Sequence, residues 1–208
     1  MSQELFSLSG EHVRLEPLEL HHAAALAAAA ANSGDLYRWT VVPIGIDAMT
    51  QYVKTALSWR EAGIAVPFVT VRQVDGKVIG STRFFDIEYF PWPDSHERHG
   101  RAHPDVCEIG YTWLEPSSIR TAANTEAKLL MLTHAFEVWG MLRVCLHTDE
   151  RNERSRAAIE RIGARFEGIL RAHRMASDCI ARNSARYSIL LPEWPEAKQR
   201  LVARLNNR

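Results

Sequence analysis

The stretch from Ile119 to Gly163 decides the fold. It opens on Ile119-Arg120-Thr121-Ala122-Ala123-Asn124-Thr125-Glu126-Ala127-Lys128, passes through Leu142-Arg143-Val144-Cys145-Leu146-His147-Thr148, and reaches Asn152-Glu153-Arg154-Ser155 before Gly163. Between Asn124 and Val138, Ala127, Leu130, Met131, His134, Ala135 and Val138 recur at three- and four-residue steps, which predicts a helix. A second stripe of Leu129, Leu132, Phe136 and Trp139 makes it apolar on most sides, so it is expected to lie buried against a sheet. Gly140 suits a left-handed cap, Leu142 to Thr148 alternates as a strand, and Asn152 is a good N-cap for a helix over 153 to 162. Two helix starts therefore follow two strands. Each start presents N–H groups without intrahelical partners and partial positive charge, which suits the pyrophosphate of a nucleotide-like ligand. Arg120 adds a cation there, or is a solvated surface arginine.

Working outward, Val13 to Leu18 reads as a strand, an alanine-rich helix begins at His21, and a second helix fits Ala48 to Ala62. Val66 to Val74, Lys77 to Ile87 and Val106 to Leu114 read as antiparallel strands, the first two joined by the hairpin signal Asp75-Gly76. Arg165 to Arg171 and Ala185 to Leu191 supply two more, and Pro195 to Leu205 a surface helix. This order predicts an α/β (α+β) fold: a mixed, mostly antiparallel twisted sheet with helices on both faces, in one domain over residues 1–208. Tyr89 to Asp105 is the one long irregular loop, of the kind that carries function or disorder.

Composition narrows the function. Lys plus Arg and Asp plus Glu number 25 each, so no global field draws the chain to nucleic acid or to an anionic membrane. The first ten residues lack the pattern of a secretory signal, and the longest apolar run, Ala23 to Ala31, falls well short of the roughly 20 residues that span a bilayer. A cytoplasmic protein is expected, with Cys107, Cys145 and Cys179 as reduced thiols rather than nucleophiles. His96, His99 and His103 sit in a proline-flanked loop without the spacing of a zinc site, so no metal is expected. His134 and His147 read as packing residues, and Trp39, Tyr89, Trp92 and Trp113 as core or as the wall of a cleft.

Glu108-Ile-Gly-Tyr-Thr-Trp113, Arg120-Thr-Ala-Ala-Asn-Thr-Glu-Ala-Lys128, Asn152-Glu-Arg-Ser155 and Ile162-Gly-Ala-Arg-Phe-Glu-Gly168 resemble the GNAT acetyltransferase superfamily, and within it the RimJ/RimL-like branch, whose best-known members acetylate the N-termini of ribosomal proteins. The resemblance runs from about residue 11 to about residue 192. It implies a splayed central strand pair holding the pantetheine arm of acetyl-CoA, with backbone of Tyr111, Thr112 and Trp113 against that arm. It places Arg120, Thr121, Ala122, Ala123, Asn124 and Thr125 at the diphosphate and Asn152, Ser155 and Arg156 along the rest of the coenzyme. The acceptor it implies is a primary amine on a small molecule, peptide or protein N-terminus. Glu108 would take the amine proton, or is a solvated strand carboxylate; Ser155 would hydrogen-bond the leaving thiolate, or support the helix cap. A homodimer in which an adjacent subunit closes the pocket stays open, as do transfer of another acyl group such as succinyl and a catalytically silent acyl-CoA-binding module.

The chain departs from the family pattern in four places. No glycine lies between Pro116 and Gly140, although the phosphate loop usually carries glycines. Ile159 stands where many members have a tyrosine acid. Arg174 falls where the ribosomal-protein enzymes carry a carboxylate, and Asn183 where the branch often has aspartate.

Overall fold

In the computed structural model, which describes residues 5–31 and 33–207, the strands are β1 (Leu8–Ser9), β2 (Val13–Pro17), β3 (Ala65–Arg72), β4 (Val78–Glu88), β5 (Val106–Leu114), β6 (Arg143–Asp149), β7 (Arg165–Met175) and β8 (Ala181–Leu190). The helices are α1 (Ala23–Ala30), α2 (Ile46–Glu61), α3 (Ala123–Thr133), α4 (Glu153–Arg161) and α5 (Trp194–Asn206). The strands form one sheet in the order β1-β2-β3-β4-β5-β6-β8-β7, and every neighbouring pair is antiparallel except β5 with β6. No helix among the described residues is long and apolar enough to cross a membrane.

The period-2 alternation of β3 shows why both faces are covered. Val66 and Phe68 join a core with Ala127, Met131 and Leu132 of α3, Ile159 of α4, and Trp194 and Leu201 of α5. Val69 and Val71 face the other way and meet Leu26 of α1 and Met49, Val53 and Ala56 of α2. Around β3 both faces of the sheet are thus apolar, and each is sealed by its own helices.

At the far end of the sheet, Glu126 of α3 accepts hydrogen bonds from the backbone N–H groups of Glu11, His12 and Val13 at 2.8, 2.7 and 2.7 Å. The carboxylate takes the place of a partner strand for three buried or half-buried donors, which locks the β1–β2 turn to the helix. Gly10 leaves room for the carboxylate, since a Cβ there would lie 2.3 Å from Glu126 Cδ and push it off its three donors.

Two local differences from the sequence reading have physical causes. The helix expected over 124 to 138 changes at His134 into a π-helical turn to Val138, with Trp139 N bonded to His134 O at 3.0 Å. The wider turn brings residues five apart together: the Trp139 ring packs edge-on to His134 at 4.6 Å, and Phe6 stacks on His134 at 4.1 Å. Burial in this aromatic cluster pushes the His134 pKa down to about 4. The β7–β8 hairpin also runs longer than expected, to Met175 and from Ala181, because its outer part is polar and largely exposed and so carries no apolar alternation.

Candidate active site

β5 and β6 pair at only three positions, Val106 with Arg143, Cys107 with Val144 and Glu108 with Cys145. Beyond Glu108 the parallel strands part. The gap opens into a cavity of about 690 Å³ lined from β5 by Glu108, Ile109, Gly110, Tyr111, Thr112, Trp113 and Leu114, and from the end of β6 by Leu146, His147 and Thr148. Parting is aided by a bulge in β5. Ser81 pairs with Trp113 and Arg83 with Gly110, so Tyr111 and Thr112 stand opposite Thr82 alone, and Tyr111 takes a φ of +50°. Its ring rests on the guanidinium of Arg83, 4.2 Å from the centroid; Arg83 is 1% exposed and also sits over the Tyr52 and Trp59 rings.

One wall of the cavity is a helix start. Arg120, Thr121, Asn124 and Thr125 all line it. Thr121 Oγ1 accepts from Ala123 N at 3.2 Å, while Asn124 and Thr125 belong to the first turn, whose N–H groups lack intrahelical acceptors. Arg120 adopts a φ of +64°, the left-handed region where glycine is favoured. The glycine-free loop therefore keeps a glycine-like bend, and Ala122 beside it is ordinary αR backbone. Ala122 and Ala123 belong to this turn without lining the cavity.

The second helix start is built as its sequence predicts. Asn152 Oδ1 accepts from Ser155 N at 3.1 Å, and both residues line the cavity. Ser155 Oγ has no hydrogen-bond partner among the described residues and is available to a ligand. Arg156, on the other side of α4, lies outside the cavity lining; its Nε donates to Tyr187 Oη at 3.0 Å and its Nη1 to Glu150 O at 3.3 Å.

Glu108 lies at the parting point and is 4% exposed. Its Oε2 is 3.3 Å from Arg174 Nη2 and 2.7 Å from His147 Nδ1, the latter without the alignment of a hydrogen bond. Oε1 has no hydrogen-bond partner among the described residues. Arg174 reaches across from β7 to join Asp86 of β4 at 2.7 Å as well, and it lies over Phe85. The sheet edge formed by the β7–β8 hairpin is thus tied to β4 across the cavity mouth. Nearby His173, with its ring 5.1 Å from that of His147, has a pKa pushed down to about 4 by burial and by the charge of Arg174.

Several lining residues are not apparent from the sequence as site residues, among them His147, Arg182 and Lys128. His147, taken as a packing residue, sits beside Glu108. Arg182 projects from β8. Lys128, 6% exposed, donates from Nζ to Thr112 Oγ1 at 2.7 Å, and burial alone lowers its pKa to about 7. Its signal was its spacing: Asn124, Thr125 and Lys128 share one helix face. Of the four aromatics considered, Trp39 and Trp113 line the cavity, whereas Trp92 stays in the 89 to 105 loop, where its Nε1 donates to Asp105 at 2.9 Å. Asn183 lies outside the lining and braces the hairpin, donating to Glu150 Oε1 at 2.8 Å and accepting from Ala172 N at 3.0 Å. Among the described residues no three His, Cys, Asp or Glu side chains gather as metal ligands.

The arrangement offers an anion a helix start together with Arg120, Lys128, Arg154, Arg161 and Arg204, all on the cavity wall. Comparison with known proteins agrees with this geometry. An acetyltransferase (GNAT) domain profile matches residues 12–165. A GCN5-related N-acetyltransferase from Brucella melitensis is similar at 29% identity and a TM-score of 0.81, covering 99% of this chain and 87% of that one. A protein from T. thermophilus whose acetyltransferase assignment is provisional is 34% identical, with a TM-score of 0.78 and coverage of 99% and 100%. Mycobacterium smegmatis RimJ, solved with CoA-disulfide, shares the fold at 21% identity, a TM-score of 0.76 and coverage of 95% and 94%. No curated protein sequence matches the chain.

Proposed function

The chain belongs to the GNAT acetyltransferase family, and on that premise we propose that it transfers an acetyl group from acetyl-CoA directly to a primary amine, in the manner of the RimJ/RimL-like branch. The observation that carries the reading is the convergence of the α3 start, the parted strands, Ser155 and Glu108 on one cavity. The helix start and its cations suit a diphosphate, and the unpaired edge of β5 beyond Glu108 suits the amides of a pantetheine arm.

In direct transfer the amine attacks the thioester carbonyl and the thiolate leaves, so the protein must align two substrates and handle one proton. Glu108 lines the cavity and serves as proton acceptor through Oε1, with Arg174 holding the other carboxylate oxygen and fixing the rotamer. Backbone N–H groups of the bulged segment Tyr111 to Trp113 serve the oxygen on which charge develops. Ser155 Oγ serves the leaving sulfur; a thiol pKa near 8.5 makes the thiolate a tolerable leaving group, so one hydrogen bond is enough. Buried Ile159, in place of a tyrosine, leaves Ser155 that task. An α-amine, roughly a tenth neutral at pH 7, asks less of Glu108 than a lysine, neutral at well under one part in a thousand.

The unbroken eight-stranded sheet supports a single domain, and three free cysteines support a reducing, cytoplasmic setting. Release of free thiol from acetyl-CoA in the presence of a panel of primary amines tests the proposal. Amine-dependent release is expected. Tight CoA binding with no release from any amine would make the chain a silent acyl-CoA-binding module instead, and faster release from succinyl-CoA would change the acyl group.

A further inference from the structure

We propose that the acceptor carries a carboxylate beside its amine and that Arg182 binds it, so that the substrate class is the free amino acids and similarly small amino carboxylates. This rests on the reading of the chain as an amine acetyltransferase. Arg182, the second residue of β8, pairs with Arg174 and lines the cavity together with Glu108, Tyr111, Trp39 and Met175. Its one hydrogen bond runs from Nε to Ser184 Oγ at 3.1 Å, so both terminal nitrogens of the fork lack a partner among the described residues.

The carboxylates around Arg182 are already engaged. Asp149 is held by Arg151 through Nε at 2.9 Å and Nη2 at 2.7 Å, and Glu108 and Asp86 are both held by Arg174. Burial lowers the Arg182 pKa; attraction by Asp149 and Glu108 offsets part of this and repulsion by Arg174 adds to it, so the cation is only partly compensated. The nearby carboxylates are bonded to other arginines, so the half-buried guanidinium keeps its planar fork for a ligand carboxylate, which it matches through two parallel hydrogen bonds.

The remaining geometry selects the size and polarity of the rest of the acceptor. Glu108 acts electrostatically on Arg182, so an acceptor whose carboxylate sits on Arg182 has a proton acceptor within reach of its neighbouring amine. Trp39, Phe85 and Met175 leave an apolar wall for a side chain. A peptide N-terminus has an amide where Arg182 needs a charge.

The test compares the twenty standard L-amino acids, each beside its carboxamide, as acceptors in thiol release from acetyl-CoA. The acids are expected to exceed the carboxamides at least tenfold in kcat/KM, although the carboxamide amine is the weaker base and is more often neutral. Arg182→Gln is expected to abolish that preference mainly through KM for the acid, and Arg182→Lys to keep part of it. Equal kcat/KM within every pair, or a preference that survives Arg182→Gln, would overturn the inference. If no amine is acetylated, the transfer reading itself fails, and calorimetric titration of the same pairs into the CoA-loaded protein decides separately. Binding of acids but not carboxamides, lost in Arg182→Gln, upholds the carboxylate site; no heat from either overturns it.

Discussion

Replacing Lys128 by methionine should make the protein more stable at neutral pH while weakening its hold on the coenzyme. The ammonium is buried, its one partner is the neutral Thr112 hydroxyl, and desolvation brings its pKa from 10.5 down to about 7. Below pH 7 both the folded and the unfolded chain carry the proton, and folding bears the whole desolvation cost. Between about 7 and 10.5 the unfolded chain holds a proton that the folded chain has shed, so stability rises with pH; above 10.5 the cost has vanished. At 1.36 kcal/mol per pH unit the depression amounts to roughly 5 kcal/mol, of which about 4 remain at pH 7 and about 2 at pH 9. Methionine fills a similar volume, and the lost Thr112 hydrogen bond returns about 1 kcal/mol. The expected net gain is therefore about 3 kcal/mol at pH 7, shrinking to about 1 at pH 9. Urea unfolding between pH 6 and 9, followed by the fluorescence of the six tryptophans, measures it. A variant no more stable than the native protein at pH 7, or a gain that does not shrink with pH, would refute the idea that a desolvated charge sits there.

Ser155→Ala is expected to lower kcat by about tenfold to a hundredfold, with little change in the KM for acetyl-CoA; equal losses in both would remove its role at the leaving sulfur. Arg120→Ala should raise the KM for acetyl-CoA through loss of a cation at the helix start, and unchanged kinetics would remove Arg120 from the phosphate site. Glu126→Ala should cost about 3 kcal/mol in urea unfolding, because three backbone donors lose a charged acceptor; a loss below about 1 would mean water replaces it freely.

Much of the architecture is written in short-range patterns. β5 was readable end to end because its apolar run is bounded by charge and proline, and Asn152 capped α4 as its side chain dictates. The outer β7–β8 hairpin is not readable to its full length, since the segments beyond Arg171 and before Ala185 carry no apolar period and are held by the pairs Arg174 with Arg182 and Met175 with Ala181. The site divides in the same way. Residues on the two helix starts follow from local chemistry, whereas the Glu108–Arg174–Asp86 cluster joins three strands distant in sequence, and no local pattern announces it. Arg174 looked like the loss of a carboxylate; in space it is the clamp on another one. Lys128 hid among helix-forming residues because a lysine on a helix is ordinarily solvated, and only the packing of α3 on β5 buries it.

The three-residue seam between β5 and β6 has a mechanical corollary. Leu114 lies roughly 20 Å of extended strand beyond Glu108, so a tilt of about 10° between the two parts of the sheet would shift it by roughly 3.5 Å. A short hinge and a long lever arm turn slight flexing at Val106 to Glu108 into a wide change of aperture where cargo enters. The hinge end is braced by Arg174, which reaches from β7 to both Glu108 and Asp86.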